Sequence, residues 1–283
     1  MRRGPVVLAP LLAMLCLAGA PLLAVAADAD PDALFAAGVT ALQDGRTNDA
    51  IADFEALGDV GVVDPVASFD RGLAYAQRMR AGGEIPGDLG RAAHGFEEAR
   101  ELSADPRLAA DADVALSVVR AEVARRRSQA GDPVQVDQGI PLRRALTRLL
   151  PENGWAYGAL AMALLLGIAL FVRGLTHARR VRIGAAIAIS VSAPTLLAFA
   201  LLALSARDER LHLREGIIVA ASARMTDARH IALTSVAPLP EAARVELMES
   251  GAGWTRIRWG TLEGLVPSPT VRAIARANDA APR

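Results

Sequence analysis

Thiol chemistry is almost missing from this chain. One of its 283 residues is cysteine, Cys16, and it lies in an apolar N-terminal run. If that run is removed, no cysteine remains, which excludes disulfides and thiolate metal sites. Lysine is absent altogether, so all 31 basic residues are arginine, a pattern read as codon usage in a GC-rich genome. The 31 acids balance them to a net charge of zero, which removes any bulk electrostatic pull toward nucleic acid. The histidines are four, His94, His177, His212 and His230, and no two are spaced as metal ligands. No G-x-S-x-G, P-loop or dinucleotide glycine fingerprint occurs. These absences argue against an enzyme, and no cofactor is expected. His94 and the acid pairs Glu97-Glu98 and Asp208-Glu209 read as solvated surface charge.

Long apolar runs, by contrast, are present. Residues 155–172 and 184–205 carry no charge, and each is long enough to cross a hydrocarbon core of about 30 Å as a helix. The connection between them carries Arg173, Arg179, Arg180 and Arg182 and no acid. Basic residues in short loops stay cytoplasmic. The expectation is a membrane hairpin with its turn inside the cell and everything before and after it on the far side. No charge lies within either span, so no ion path or proton relay is expected.

The N-terminus points the same way. Met1-Arg2-Arg3 is a short basic region, an apolar stretch follows, and Ala24-Val25-Ala26 is a small-x-small site before an acidic start at Ala27-Asp28. This is the layout of a secretory signal peptide. An uncleaved anchor remains the alternative, and either way the next segment is exported.

Residues 31–57 read as two helices, with Leu34, Ala37 and Ala41 on one stripe, a turn at Gly45, then Ala50, Phe54 and Leu57. The spacing Gly38, Gly45, Ala50, Phe54 recurs as Gly72, Gly87, Ala92, Phe96, Ala99. Small residues are needed where antiparallel helices cross closely, and a large one where the second helix fills the gap. The pattern resembles the tetratricopeptide repeat, with Leu34 in place of its early Trp and a longer first helix and loop around residues 77–86. After Pro106 a long amphipathic helix shows Leu108, Ala112, Ala115, Val119 and Val123 on one face, suiting a capping helix or half repeat. An unrelated helical bundle is the alternative. Stacked helix pairs hold a partner's peptide or helix. Asp44, Arg71, Gln77 and Arg78 are candidate groove positions, and each reads more simply as solvated surface.

A Gly/Pro-rich linker follows, then a short amphipathic helix over residues 142–150 with Arg143, Arg144 and Arg148. Beyond residue 207 the period shortens from helical to two. Expected strands cover residues 217–219, 230–233, 243–248, 254–259 and 262–266, joined by tight glycine turns. Five short strands suggest a closed or nearly closed barrel. The motif Gly253, Trp254, Ile257, then Gly264, Val266, Pro267 resembles the bacterial SH3 domain, with Leu265 where a Trp is usual. Trp259 is a candidate to compensate for that lost aromatic.

The expected fold class is therefore a multidomain membrane protein: an all-α helical-repeat (TPR-like) domain, a two-helix transmembrane hairpin and a small all-β SH3-like barrel. The expected segments are 1–26 signal peptide, 27–127 helical repeats, 128–154 linker and juxtamembrane helix, 155–172 first span, 173–182 cytoplasmic loop, 183–206 second span and 207–278 barrel. This order of parts resembles the aerotolerance-operon family called BatE. The resemblance implies a non-catalytic inner-membrane adaptor with both soluble domains in the periplasm. It also implies protein partners, including membrane proteins with von Willebrand A domains, and a link to oxidative-stress tolerance or envelope integrity. The competing reading is a cell-wall module, in which the barrel contacts peptidoglycan and the repeats act as a spacer. A third is a sensor signalling through the hairpin.

Overall fold

A computed structural model describes residues 30–132, 142–147, 149–234 and 236–276. The expected signal peptide, most of the linker, Arg148 and the side chains of Arg143 and Arg144 lie outside what it describes. Among the described residues there are eight α-helices, two of them candidate membrane spans, and a small antiparallel sheet region.

Three of the helices begin with the same two-residue device. Asp30-Pro31, Asp64-Pro65 and Asp105-Pro106 open α1 (Pro31–Gln43), α3 (Pro65–Arg80) and α5 (Pro106–Ala130). Each aspartate accepts a hydrogen bond from a backbone N–H of the first turn, and each proline sits where its missing N–H is not needed. Helices α2 (Thr47–Asp59) and α4 (Asp88–Leu102) complete two antiparallel pairs. Gly45 and Gly87 hold positive φ angles of 74° and 98° before the second helix of each pair.

The two pairs share one packing relationship. A Cβ on Gly38 would lie 2.9 Å from the Phe54 ring, and one on Gly72 would lie 3.0 Å from the Phe96 ring. The absent side chain is the seat of the aromatic. Gly95 brings α3 and α4 closer still, since a Cβ there would be 2.6 Å from the Ser68 carbonyl oxygen. Ala50, Ala92 and Ala99 are fully buried. Helix α5 lies against α4 through Ala112, Leu116, Val119 and Val123.

After the short α6 (Leu142–Thr147), two long helices form a hairpin: α7 (Glu152–Leu175) and α8 (Arg179–His212). Both are longer than their apolar cores. The loop between them is therefore three residues, 176–178, rather than ten, because the flanking arginines continue the helices. Small side chains line their contact: Ala169, Ala185 and Ser192 are buried, and Gly158 receives the Phe199 ring. At 34 residues, α8 is about 51 Å long and outruns a hydrocarbon core of about 30 Å. Its charged end is tied to the base of α7. Arg210 pairs with Glu152 at 2.7 Å, Glu209 accepts from Thr147 Oγ1 at 2.9 Å, and Trp155 Nε1 donates to the Thr147 carbonyl at 3.1 Å.

One residue, Leu213, separates α8 from the sheet. Five antiparallel strands lie in the order β6-β5-β4-β1-β7: β1 (Arg214–Ile218), β4 (Arg244–Gly251), β5 (Trp254–Trp259), β6 (Leu262–Pro267) and β7 (Val271–Ala273). A two-residue pair, β2 (Ser222–Ala223) and β3 (Leu239–Pro240), contributes Ala223 and Leu239 to the sheet's core with Ile218, Val245, Ile257 and Val266. The expected strand at residues 230–233 does not form. Asp227 Oδ1 instead accepts from the N–H groups of Arg229 and Ile231, which turns the chain there and holds His230 at φ 61°. Only an isolated bridge from Thr226 to Ala232 remains.

The helical unit and the sheet are not separate bodies. Ile217, Ala242 and Ile274 belong to the same buried cluster as Leu89, Phe96 and Val119. Ile217 and Ile218 are consecutive in β1 and point to opposite faces, so one enters the helical core and the other the sheet core. The uninterrupted apolar run at 217–219 is the sequence mark of a strand covered on both sides. Two glycines, Gly87 at the N-cap of α4 and Gly90 in its first turn, permit the approach. A Cβ on Gly87 would meet the Val219 carbonyl oxygen at 2.4 Å, and one on Gly90 the Ile218 carbonyl oxygen at 2.5 Å.

Candidate functional site

The contact between helices and sheet is a seam of buried charge. Arg71 of α3 pairs with Glu98 of α4 at 2.6 Å, and Ser68 donates to the same carboxylate at 2.8 Å. The backbone N–H of Ala275 reaches the other carboxylate oxygen from the sheet side at 3.1 Å. His94, one turn earlier on α4, places Nε2 2.8 Å from the Ala273 carbonyl oxygen. A carbonyl only accepts, so Nε2 carries the proton and Nδ1 faces the Arg71 guanidinium at 3.3 Å as acceptor. Burial, foremost, pulls the His94 pKa down to about 4, with the Arg71 charge acting in the same direction and Glu98 against it. Glu98 is held below the usual carboxylate range. Burial opposes that shift, and the Arg71 charge with the bonds from Ser68 and the Ala275 N–H outweighs it.

Three further groups extend the seam. Glu97, 1 % exposed, faces Arg100, Arg120 at 2.7 Å and, from β4, Arg244 at 3.4 Å. Arg244 also pairs with Glu215 of β1. Glu55 of α2 takes a two-pronged contact from Arg272 of β7, at 2.9 and 2.7 Å, and a bond from the Tyr75 hydroxyl at 2.9 Å. Burial works against the Glu55 charge, yet the Arg272 contact holds its pKa down to about 2. Glu241 reaches the other way, accepting from the Gly90 N–H at 2.8 Å, and its burial pushes its pKa up. Behind the seam, Asp88 is gripped by both arms of Arg78 at 2.9 and 2.6 Å.

This geometry corrects several sequence expectations. Arg71 and Arg78 are buried, not groove or solvent positions, because each guanidinium answers a buried carboxylate one helix away. His94, Glu97 and Glu98 are likewise buried rather than solvated. A signal was present: α4 offers small residues all round, at Gly90, Ala92, Ala93, Gly95 and Ala99, which is the composition of a helix packed on every side. What the arrangement does chemically is hold. Each carboxylate faces guanidinium, hydroxyl or backbone donors. Among the described residues no group of three His, Asp, Glu or Cys is placed to hold a metal ion.

The remaining sequence-selected residues fall in two other places. In the sheet, Gly253 turns the chain at φ 81°, Ile257 and Val266 are core, Gly264 sits under Met225, and Pro267 is opposite Trp254. Trp254 is half-buried and stacks on His230, with ring centroids 4.3 Å apart. The two rings border an open cleft of about 350 Å³ with Arg256, Glu249 and Leu265. Trp259 does not join it; it is buried in the sheet core, so it cannot replace the missing aromatic. Arg173, Arg179, Arg180 and Arg182 all lie exposed at the tip of the hairpin, far from the seam in sequence and element order.

No family model matches this chain, and neither a curated protein nor a solved structure does.

Proposed function

We propose that this protein is a non-catalytic adaptor anchored in the bacterial inner membrane by two spans, with TPR-like helix pairs and an SH3-like barrel facing the periplasm. The observation that carries the reading is the seam. Chain segments on either side of the hairpin dock into one body through shared core and buried ion pairs. An antiparallel hairpin returns the chain to the side it left, so this single body sits on one face of the membrane. A rigid platform held at a membrane, with its carboxylates committed to internal contacts, suits presenting surfaces rather than turning over substrate.

Partner proteins are the proposed ligands, von Willebrand A-domain membrane proteins among them, in an aerotolerance or envelope-stress complex. Two surfaces support this. Val114 and Val118 form an exposed apolar stripe on α5. The Trp254 cleft offers an aromatic pair, a cation and an acid. Crosslinking in intact cells with affinity purification of the full chain is the test. Recovery of membrane proteins, lost in Val114→Asp/Val118→Asp, supports the adaptor.

The cleft also favours a second reading, a peptidoglycan-binding module, because stacked rings beside charged groups suit peptide or glycan. Sedimentation of the solubilised chain with purified cell wall, lost in Trp254→Ala, would favour that module over the adaptor.

A further inference from the structure

The hairpin tip combines two features that neither anchoring nor the seam uses. The first is an apolar groove between the spans. Leu165, Ile168, Ala169 and Val172 of α7 face Val181, Gly184, Ala185 and Ala188 of α8 around about 330 Å³ of space, and almost all the lining is carbon. Ala169 and Ala185 form its floor, being buried between the helices. Gly184 opens it, since a Cβ there would meet nothing within 4 Å. The second is charge. The groove ends at Val172 and Val181, and Arg173 follows the one while Arg180 and Arg182 flank the other, with Arg179 beside them. All four arginines are exposed, and among the described residues none has a hydrogen-bonding or ion-pairing partner. No acid occurs between residues 173 and 183. The α8 N-terminus lies here too, with no side-chain cap on its free N–H groups.

We propose that this tip is a binding site for an anionic phospholipid. One acyl chain occupies the groove, and the phosphate sits among the four guanidinium groups. Charge complementarity selects this occupant. A second hairpin would fill the apolar groove, but it would bring its own four arginines against these. A zwitterionic lipid would fill it too, but its ammonium offsets its own phosphate and leaves the four guanidinium charges largely uncompensated. Arginine matches phosphate geometry with paired donors. The site rests on the reading that α7 and α8 cross a bilayer.

The test uses the full chain in detergent, titrated with palmitoyl-oleoyl phosphatidylglycerol or phosphatidylcholine and read by native mass spectrometry. The expected result is retention of phosphatidylglycerol about tenfold more strongly than phosphatidylcholine, the scale of one or two charge-assisted contacts. The quadruple variant Arg173→Gln/Arg179→Gln/Arg180→Gln/Arg182→Gln should lose that preference. Gly184→Leu, which keeps every arginine and has open space to enter, should lower retention of both lipids. Equal retention of the two lipids by the wild-type chain overturns the site, as does a lipid-free dimer. Alkaline extraction from reconstituted vesicles separates the failures: release of the chain overturns the membrane reading itself, whereas a chain that stays integrated but ignores lipid charge overturns only the lipid site.

Discussion

His94 donates from Nε2 to the carbonyl oxygen of Ala273, 2.8 Å away and 179 positions later in the chain. The bond joins a helix that precedes the hairpin of α7 and α8 to the chain that follows it, at the end of β7. It requires a neutral ring, because Arg71 occupies the other nitrogen.

Acid should therefore loosen the seam. His94 has a folded pKa of about 4, below the ordinary value of 6.5. The unfolded chain then binds more protons than the folded one between these limits, and stability falls as pH drops from about 6.5 toward 4. The expected loss is on the order of 1–3 kcal/mol over that window. His94→Gln should flatten this part of the profile in thermal melts of the solubilised chain. An unchanged slope would mean that other groups carry it.

A second acid limb belongs to Glu55. Its folded pKa, about 2, lies below the ordinary 4.5, so its contribution is present above 4.5 and lost as pH falls through 2. Partly screened by solvent, the contact with Arg272 should contribute about 2 kcal/mol. A double-mutant cycle of Glu55→Gln and Arg272→Gln measures it. Strict additivity would show that the two side chains meet without coupling.

Docking should fail at Gly90 before it fails anywhere in the helical core. Gly90→Ala places a methyl 2.5 Å from the Ile218 carbonyl oxygen and 2.7 Å from the Val219 Cα. Backbone cannot yield as a side chain tip can, so a destabilisation of about 2–4 kcal/mol is expected. Faster proteolysis at the seam, with helical content retained by circular dichroism, is the signature to look for. A variant as resistant as wild type would show that the contact adapts.

The two soluble parts should be reached from the same side of the membrane. In a Cys16→Ser background, Ser128→Cys and Ser250→Cys should react with an impermeant maleimide under the same conditions, and His177→Cys at the hairpin tip only from the opposite side. Split reactivity of the first two would break the single-body arrangement.

Much of the local structure was legible in sequence because its causes are local. The Gly38–Phe54 and Gly72–Phe96 spacings set two helix pairs, and the alternation from Trp254 to Trp259 makes β5. Charge-free runs mark the two long helices. The strand expected at residues 230–233 failed for a local reason that composition hides. One Asp227 side chain captures two backbone N–H groups and bends an otherwise apolar run.

The sequence by itself therefore determined the helix pairs, the longer strands, their order and the two long apolar helices, since periodicity and hydropathy act over a few residues. Only the tertiary structure decided that the helical unit and the sheet are one body. The pairs that join them, His94 with Ala273, Glu97 with Arg244 and Glu55 with Arg272, are separated by 147 to 217 positions. In a chain where acids and arginines are equally common, nothing local distinguishes a guanidinium that will be buried from one that stays in water. What distinguishes them is desolvation, and that exists only once a partner's surface has arrived.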